Sequence, residues 1–369
     1  MRELIALDLP GGEGFVEALR RAWDEGDAVL PLDRRLSRLA QAEVLGSLGA
    51  TAVLHESGRQ DLTGGRPVEA GDALVMATSG TTGEPKGVVL THDAVRASAL
   101  ATTARLGLDP SVHRWLACLP LAHIGGLSVI TKAIATGAPL TVLPGFERDA
   151  VLAASGPEVV VSLVPTALLR VGAEAWHTVV LGGSAPPGDL PANVVSTYGM
   201  TETGSGVVYD GLPLDGVEVA LDPIDGQVRL RGPMLLRAYR DGRVPLDAGG
   251  WLATGDAGRL VEGRLVIDGR LSELIVTGGE NVWPTPVERI LSEHPAVAEV
   301  AVAGRPDPEW GERVVAFVVP APGAPPPRLE ELRALVRERL AAFAAPRELV
   351  LVGSLPKTSI GKLQRALLT

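Results

Sequence analysis

The sequence predicts a large α/β N-terminal domain with mostly parallel sheets, followed by a small, mobile α+β C-terminal domain. The 369 residues suffice for two domains with sizeable cores. Between residues 133 and 181, apolar runs alternate with helical pieces, which is typical of a largely parallel sheet. After residue 271 the pattern changes to that of a small α+β unit. We therefore place the two domains at residues 1–271 and 272–369.

Composition limits the classes of partner. A net charge of −10 and a pI near 5.2 argue against nucleic acid or an anionic membrane, so an anionic substrate must be captured by local donors. The single cysteine, Cys118, excludes an internal disulfide and a cysteine-based zinc cluster, and it fits a reducing compartment. The N-terminus lacks the pattern of a signal peptide, and no apolar run approaches about 18 residues. We expect a cytoplasmic protein with no membrane insertion.

The first part of the chain is predicted to be helical, with one interruption. Residues 13–49 carry apolar side chains at helix spacing, and Leu30-Pro-Leu-Asp33 separates the two halves. Residues 58–71 have the composition of a loop. The apolar run Ala73-Leu-Val-Met-Ala77 then predicts a buried strand.

The following elements alternate between strands and helices. Val88-Val-Leu-Thr91 continues after the loop, and a helix is expected from about His92 to Leu106. Three apolar runs predict further strands, and ligands in such sheets lie beyond the carboxyl ends of the strands. These runs are Leu140-Thr-Val-Leu143, Val159-Val-Val-Ser-Leu163 and Val179-Val-Leu181.

A loop rich in glycine and hydroxyl groups follows the strand at residues 73–77. Its glycines allow the backbone to approach a ligand closely, so that successive N–H groups can surround an anion. Ser79, Thr81 and Thr82 add hydroxyl donors, and Lys86 adds a cation. This chemistry predicts a polyphosphate site, although the spacing of the glycines does not match the Walker P-loop pattern.

Thr78-Ser-Gly-Thr-Thr-Gly-Glu-Pro-Lys-Gly87 resembles the signature loop of the adenylate-forming enzymes, the family of acyl-CoA synthetases and other AMP-dependent ligases. The resemblance extends over residues 72–369 through five ordered motifs. It implies ATP and Mg²⁺ as cofactors and, for the acyl-CoA synthetases, coenzyme A as co-substrate.

Two further motifs have residue types suited to binding a nucleotide. In Ser196-Thr-Tyr-Gly-Met-Thr-Glu-Thr-Gly204, Tyr198 can stack on a base, Thr201 can donate to a phosphoryl oxygen, and Glu202 is an oxygen ligand suited to Mg²⁺. Asp256 accepts hydrogen bonds when ionised, so it suits a ribose diol, although such a residue often forms an Asx turn instead.

The resemblance assigns roles to residues whose chemistry alone is not decisive. It implies that Lys362 and Thr201 act in catalysis with Glu202, that Arg270 reaches the ribose and phosphate, and that Ser272 is the hinge between the domains. The implied contacts fall into three sets. ATP would be bound by Thr78, Ser79, Gly80, Thr81, Thr82, Gly83, Lys86, Gly183, Ser184, Ala185, Tyr198, Gly199, Thr201, Asp256 and Arg270; the acid by His123, Gly182, Met200 and Gly204; and coenzyme A by Gly278 and Gly279.

The C-terminal domain is expected to contain two helices and at least two strands. Thr285 and Glu288 predict a capping box that opens a helix through Ser292. Strands are expected at residues 297–302 and 314–319, followed by a proline-rich connector. Leu329, Leu332, Val336 and Leu340 form one face of the second helix.

These observations predict an ATP- and Mg²⁺-dependent acid–CoA ligase that acts through an acyl-adenylate. Only 71 residues precede the strand before the signature loop. This short front, with the segments His-Ile-Gly-Gly and Gly-Gly-Glu-Asn-Val-Trp-Pro, resembles the compact o-succinylbenzoate–CoA ligases of actinobacterial menaquinone biosynthesis. The alternatives are another aryl- or short-acyl-CoA ligase, an adenylation domain that loads a carrier protein, and a degenerate nucleotide-binding regulator.

Overall fold

The computed structural model describes residues 2–79, 85–183, 190–357 and 363–368. The chain divides into two compact units. The first comprises residues 1–219 and 230–253, and the second comprises residues 220–229 and 254–369. The domain boundary that we place at residue 271 from the sequence stays a prediction.

The described residues form strands and helices along the whole chain. The strands are β1 (Leu4–Asp8), β2 (Ala28–Pro31), β3 (Ala52–His55), β4 (Gly58–Asp61), β5 (Asp72–Ser79), β6 (Pro85–Thr91), β7 (Arg114–Ala117), β8 (Leu140–Val142), β9 (Gly156–Leu163), β10 (Trp176–Leu181), β11 (Val194–Met200), β12 (Ser205–Tyr209), β13 (Leu212–Pro213), β14 (Glu218–Leu221), β15 (Gln227–Arg231), β16 (Ala238–Tyr239), β17 (Leu252–Val261), β18 (Arg264–Arg270), β19 (Ile275–Thr277), β20 (Glu280–Val282), β21 (Val297–Asp307), β22 (Gly311–Pro320) and β23 (Glu348–Leu351). The α-helices are α1 (Glu13–Asp24), α2 (Arg38–Leu48), α3 (His92–Arg105), α4 (Ile124–Thr136), α5 (Arg148–Ala153), α6 (Pro165–Val171), α7 (Pro284–Leu291) and α8 (Leu329–Arg337), and 3₁₀ turns occupy Thr201–Thr203, Leu271–Glu273, Ala342–Ala344 and Arg365–Leu367.

The first unit contains two seven-stranded sheets. The strand order is β16-β6-β5-β2-β1-β3-β4 in one sheet and β13-β12-β11-β10-β9-β7-β8 in the other. In the first sheet the pairs from β5 to β3 are parallel and antiparallel pairs lie at both edges. In the second sheet all pairs from β11 to β8 are parallel, and the antiparallel pairs lie at the β13 edge. This arrangement confirms the predicted fold class, in which the large domain is α/β with mostly parallel sheets.

Two helices lie between these sheets. The helix α3 packs on β5 and β6, α4 packs on β7 and β9, and the two helices pack against each other. The helix α3 begins at His92, as predicted, because the Thr91 side chain accepts a hydrogen bond from the N–H of Ala94. The helix α4 is buried from Gly126 through Ala133, as expected for a helix between two layers.

The second unit is a small α+β structure. Its five-stranded sheet has the order β20-β19-β22-β21, with β23 paired to β22, and α7 and α8 pack against each other. The side chains of Leu332 and Val336 on α8 are fully buried, as the predicted apolar face requires. A separate four-stranded sheet has the order β14-β15-β17-β18.

Three local predictions were wrong. The interruption within residues 13–49 is a buried strand, β2, because a run of four apolar residues is too short to reveal its period. The segment predicted as a loop at residues 58–71 begins with the exposed strand β4. The helix α7 begins at Pro284 with Trp283 as its N-cap, so no capping box forms, and Glu288 instead accepts a hydrogen bond from the N–H of Val302.

No helix in the described part of the chain is both long and apolar enough to cross a bilayer.

Candidate active site

Part of the predicted site lies outside the described residues. This part contains the central residues of the signature loop, two residues after β10, and the predicted catalytic lysine, and for Ser79 only the backbone in β5 is described. The residues outside the description are Gly80, Thr81, Thr82, Gly83, Ser184, Ala185 and Lys362.

The turn that carries Glu202 is held by hydrogen bonds. The buried Thr203 hydroxyl accepts from the N–H of Met200 at 2.9 Å and donates to the carbonyl of Ser205 at 2.6 Å. The carbonyl of Glu202 accepts from the N–H of Leu236 at 2.7 Å. A Cβ atom at Gly199 would lie 2.2 Å from the Ser205 carbonyl oxygen, so this position requires glycine. The backbone of Glu202 is thereby fixed.

The Glu202 side chain is held on one oxygen. The Tyr239 hydroxyl donates to Glu202 Oε1 at 3.0 Å. Lys86 Nζ lies 5.9 Å from the centroid of the Tyr239 ring, and the guanidinium of Arg243 lies 5.3 Å from it. Burial and the Glu202 carboxylate raise the pKa of Tyr239, which therefore stays a neutral donor at physiological pH. Two predicted residues, Lys86 and Glu202, thus meet around a tyrosine.

The donor set fits Mg²⁺ shared with a phosphate ligand. Glu202 Oε2 has no hydrogen-bond partner among the residues that the structure describes, which leaves it available to a cation. The described residues form no group of three or more His, Cys, Asp or Glu side chains that could hold a metal. A single carboxylate together with phosphate oxygens and waters is a usual environment for Mg²⁺.

A side chain of the loop after β2 contacts His123 and fixes its ring. Arg35 Nη2 lies 2.8 Å from His123 Nε2, and the same guanidinium donates to both carboxylate oxygens of Asp33. Because a guanidinium can only donate, Nε2 of His123 accepts, and the ring proton resides on Nδ1. Burial and the positive charge of Arg35 lower the pKa of His123, whereas Asp33 raises it. Asp33 Oδ2 lies farther away, 3.6 Å from Nε2. His123 is therefore a neutral imidazole with a fixed tautomer.

The other predicted residues of the first unit lie on β5, in the segment after β10, and on β11 with the turn that follows it. The Thr78 hydroxyl donates to the carbonyl of Lys86 across the β5–β6 pair at 3.3 Å. Gly182 and Gly183 follow β10, and Gly183 has a φ of 91°, which favours glycine. The remaining residues lie on β11 and the turn that follows it, namely Tyr198, Met200, Thr201 and Gly204.

In the second unit, the two predicted ribose contacts bind each other. Asp256 and Arg270 are directly opposite on the antiparallel strands β17 and β18. Arg270 Nε lies 2.8 Å from Asp256 Oδ1, and the aspartate side chain is buried whereas the arginine side chain is half exposed. The pair therefore presents a fixed carboxylate and an accessible guanidinium side by side.

The predicted hinge and coenzyme A residues lie close together in sequence. Ser272 lies in the 3₁₀ turn Leu271–Glu273. Gly278 and Gly279 connect β19 to β20 with φ angles of 61° and 82°, as a type I′ turn requires. A Cβ at Gly278 would lie 2.7 Å from the Trp310 ring, whereas a Cβ at Gly279 would meet no atom within 4 Å.

Sequence reasoning missed Tyr239, Arg35 and a buried lysine, Lys132. Tyr239 lies in the two-residue strand β16, which gives no periodic signal. Arg35 belongs to the charged run Asp33-Arg-Arg35, which is a signal only after β2 is recognised as a strand. Lys132 is a single lysine within the apolar part of α4, and a lysine in such a position is unusual.

An open cleft of about 560 Å³ lies at the carboxyl ends of β1 and β3. None of the predicted site residues lines it. Arg34 within it pairs with Asp8 at 3.3 Å and with Glu56 at 3.2 Å, so these charges compensate one another.

Two family models match the chain. Residues 42–239 match the AMP-binding enzyme family, and residues 286–362 match the AMP-binding enzyme C-terminal domain. The chain belongs to the AMP-binding enzyme family. The membership agrees with the resemblance of the signature loop at residues 78–87.

Similar proteins include ligases of one named activity. The chain is 40% identical over 349 residues to a probable 2-succinylbenzoate–CoA ligase of Mycobacterium tuberculosis, covering 87% of this chain and 90% of the relative. A 2-succinylbenzoate–CoA ligase of Listeria monocytogenes is 35% identical over 327 residues, covering 79% and 68%. Among solved structures, o-succinylbenzoate CoA synthetase of Bacillus subtilis in complex with the acyl-adenylate intermediate superposes with a TM-score of 0.87 at 29% identity, covering 100% of this chain and 88% of that one. The same Bacillus subtilis enzyme with ATP and magnesium ion gives a TM-score of 0.86 at 29% identity, covering 99% and 89%.

Proposed function

We propose that this protein is an ATP- and Mg²⁺-dependent acid–CoA ligase that converts o-succinylbenzoate to o-succinylbenzoyl-CoA. The observation that carries this proposal is 40% identity over 87% of the chain to a relative named for that activity. The arrangement of Glu202, Tyr239 and Lys86 on the described part of the chain supports it.

The reaction proceeds in two steps. A carboxylate oxygen of the acid attacks the α-phosphorus of ATP, the bond to pyrophosphate breaks, and an acyl-adenylate forms. The thiol of coenzyme A then attacks the acyl carbonyl carbon, the bond to AMP breaks, and the thiol proton is released. The protein contributes mainly positioning and neutralisation of negative charge, so no nucleophilic side chain is required.

The residues divide this work. Glu202 would hold Mg²⁺, and the bound ion would supply neutralisation of phosphate charge. Tyr239 orients that carboxylate by holding Oε1. Lys86, Thr78 and the loop at residues 79–83 bind the polyphosphate, and Thr201 donates to it. Tyr198 stacks on the base, Gly183 and Gly199 are further nucleotide contacts, and the Asp256–Arg270 pair binds the ribose. The resemblance implies that Ser184 and Ala185, which lie outside the described residues, also contact ATP.

The acid lies between the start of α4 and the turn after β11. His123 offers its Nδ1–H to the acid, because Arg35 occupies Nε2. Gly182, Met200 and Gly204 complete the contacts, and Gly204 ends the 3₁₀ turn with a φ of 68°.

The second domain, residues 272–369, supplies Lys362 for the first step and Gly278–Gly279 for the second, with Ser272 as the pivot. Lys362→Ala should slow acyl-adenylate formation by about 10²–10³. The same variant should still form the thioester from supplied acyl-adenylate, as measured by coenzyme A consumption. Equal loss of both steps would contradict a role of Lys362 that is confined to the first step.

A panel of acids tests the assignment. Release of pyrophosphate and AMP is measured with o-succinylbenzoate, benzoate, acetate and a long fatty acid, with and without coenzyme A. We expect o-succinylbenzoate to exceed the monoacids by up to about 10⁴-fold, because donors built for a second carboxylate stay unpaired with the others. Equal turnover of benzoate would favour the alternative of a general aryl-CoA ligase. Transfer only to a carrier protein would favour the adenylation domain.

We infer that this activity serves menaquinone biosynthesis and takes place in the cytoplasm, where ATP and coenzyme A are available. The single thiol, Cys118, is buried, and burial raises its pKa to about 12, so it takes no part in thioester chemistry.

A further inference from the structure

Arg243 is a cation to which the proposed reaction assigns no role, although it contacts an assigned group. It follows β16 in a tight turn, in which the N–H of Tyr239 donates to the carbonyl of Arg243 at 2.8 Å. Its guanidinium lies 5.3 Å from the centroid of the Tyr239 ring, which is a cation–π distance. The hydroxyl of the same ring donates to Glu202 Oε1 at 3.0 Å. One tyrosine side chain therefore separates Arg243 from the carboxylate assigned to Mg²⁺.

A second cation reaches the same ring. Lys86 Nζ lies 5.9 Å from the centroid of the Tyr239 ring. Tyr239 pairs with Val88, and Lys86 precedes Val88 by two residues on β6. Because side chains two residues apart on a strand point to the same side, Lys86 and Tyr239 share one face of the sheet. The cation assigned to the polyphosphate and Arg243 are thus brought to one aromatic ring.

The guanidinium of Arg243 is oriented but only partly used. Asp241 Oδ2 accepts from its Nε at 2.7 Å, and Asp241 Oδ1 accepts from its backbone N–H at 3.0 Å. The terminal nitrogens Nη1 and Nη2 have no hydrogen-bond partner among the residues that the structure describes. The side chain is 59% exposed, so these two donors are open to solvent.

Arg231 provides a comparison, because it also stacks on a ring and pairs with a carboxylate. Its guanidinium lies 4.6 Å from the centroid of the Trp251 ring. Glu218 accepts from its Nε at 2.8 Å and from its Nη2 at 2.6 Å, and the carbonyl of Gly249 accepts from its Nη1 at 3.3 Å. Every nitrogen of this guanidinium is used by the protein. Within the described part of the chain, Arg243 instead keeps both terminal nitrogens available.

Resting on the proposed function, we propose that Arg243 binds the outer phosphates of ATP, which become the pyrophosphate leaving group. A planar guanidinium matches two phosphate oxygens, and such charge-assisted hydrogen bonds are strong. In the first step, the bond from the α-phosphorus to the oxygen bridging to the β-phosphorus breaks, and its electron pair stays on that oxygen. Arg243 and Lys86 stabilise the negative charge that the pyrophosphate gains. The α-phosphate stays on the acyl-adenylate, so the second step does not use Arg243.

The alternative is a structural role, in which Arg243 only closes the turn and packs on Tyr239. An exposed ion pair such as that with Asp241 contributes little to folding stability, so the fold has little need of this charge. A structural role would act through Tyr239 on Glu202, and its loss would raise the Mg²⁺ requirement. Direct binding instead affects the affinity for pyrophosphate.

The test compares Arg243→Gln with Arg243→Lys and with the matched control Arg231→Gln, using the full chain. Glutamine removes the charge, whereas lysine keeps the charge and loses the planar fork. The dissociation constant of pyrophosphate is measured by calorimetry at saturating Mg²⁺. The rate of exchange of labelled pyrophosphate into ATP is measured with o-succinylbenzoate over a range of Mg²⁺ concentrations. In this reversal of the first step, pyrophosphate attacks the α-phosphorus of the acyl-adenylate and the acid departs. Thioester formation from supplied acyl-adenylate is measured separately.

We expect Arg243→Gln to weaken pyrophosphate binding and to slow the exchange by about 10-fold or more, because charge-assisted hydrogen bonds are lost. Arg243→Lys should recover part of both losses. Thioester formation and the Mg²⁺ concentration for half-maximal exchange should be unchanged in both variants. Arg231→Gln should behave like the unchanged protein.

Unchanged pyrophosphate binding in Arg243→Gln would overturn the proposal, and a raised Mg²⁺ requirement in its place would establish the structural role. An equal loss of exchange and of thioester formation would also overturn it. If the unchanged protein exchanges no pyrophosphate with o-succinylbenzoate or with the other acids of the panel, the proposed function fails instead. The calorimetry needs no acid, so it still decides whether Arg243 binds pyrophosphate, and the two failures are distinguished.

Discussion

Two clusters of charged side chains, one in each unit, differ in how completely they are satisfied. In the second unit, Arg365 donates to Glu288 at 2.6 Å and to Glu273 at 2.5 Å, and Glu288 also accepts from the N–H of Val302. In the first unit, Lys132 has one neutral partner and no described carboxylate. Among the described residues, Arg365 is paired with carboxylates, whereas no carboxylate pairs with Lys132.

The same contrast applies to other groups of the first unit. Glu202 is held on one oxygen and His123 on one nitrogen, and in the described part of the chain the second atom of each has no partner. Groups that stabilise a fold are satisfied by that fold, and groups that bind a ligand keep a position available. The predictions below test this distinction, from the largest expected effect to the smallest.

The first prediction concerns Glu202, of which only Oε1 has a hydrogen-bond partner among the described residues. Glu202→Gln keeps the shape and the acceptor for Tyr239 but removes the negative charge. Acyl-adenylate formation should fall by about 10²–10³, because an electrostatic contact in the transition state is weakened. Unfolding by denaturant should be unchanged. Binding of Mn²⁺ in the presence of ATP, followed by electron paramagnetic resonance, should also weaken.

The exposed Glu17 provides a matched control, and Glu17→Gln should behave like the unchanged protein. Full adenylation by Glu202→Gln at limiting Mg²⁺ would mean that Glu202 is only a turn residue.

The second prediction concerns the cluster of Arg365, Glu288 and Glu273 in the second unit. Arg365→Met should lower the free energy of unfolding by about 3 kcal/mol, because it leaves Glu288, whose side chain is only 16% exposed, without its counter-charge. Burial already raises the pKa of Glu288 against the opposing effect of Arg365. The double variant Arg365→Met/Glu288→Met should recover most of the loss in denaturant unfolding. If Lys132→Met destabilised the protein as much as Arg365→Met, the contrast between the two clusters would be lost.

The third prediction concerns Tyr239, which holds the first oxygen of Glu202. Tyr239→Phe removes one hydrogen bond to a charged group, so the Mg²⁺ concentration for half-maximal activity should rise about 10-fold. Calorimetric titration of the protein–ATP complex with Mg²⁺ should show the same weakening of Mg²⁺ binding. Tyr209→Phe is a suitable control, since its buried hydroxyl contacts Thr102 instead. An unchanged Mg²⁺ requirement in Tyr239→Phe would refute the orienting role.

The fourth prediction concerns the pH dependence of His123. Because its pKa is depressed, His123 stays neutral in the folded protein at neutral pH. Its contribution to folding stability is lost as the pH falls below about 6.5. Arg35→Gln removes the positive charge, so the pKa of His123 should rise and the acidic limb of the KM profile for the acid should move to higher pH. NMR of the imidazole nitrogens measures both the pKa and the tautomer. A ring protonated on Nε2 in the unchanged protein would contradict the assignment.

The sequence predicted the parts of this molecule that depend on long periodic patterns or on dense motifs. The buried strand at residues 73–77 and the start of α3 at His92 were predicted because the apolar run and the helix spacing are long. The strand β2 was missed because four apolar residues between two helices carry no distinguishing period. The cap at Thr285 was predicted wrongly because Pro284 can itself occupy the first helical turn.

The site shows a similar division. Glu202 and Lys86 belong to recognisable motifs, and the structure brings both to the same tyrosine. Tyr239, Arg35 and Lys132 come from distant parts of the chain, and their roles depend on contacts between residues more than 36 positions apart. Such contacts leave no local pattern in a single sequence.

The central claim is that an acyl-adenylate forms first and is then consumed by coenzyme A. A rapid-quench experiment tests it most directly, with excess protein, ATP labelled on the α-phosphate, Mg²⁺ and o-succinylbenzoate, and no coenzyme A. We expect labelled acyl-adenylate to accumulate to about one equivalent of the limiting acid and then, when coenzyme A is added, to be converted to thioester and labelled AMP. If no labelled adenylate forms without coenzyme A, or if the adenylate that forms is not consumed when coenzyme A is added, the account is contradicted.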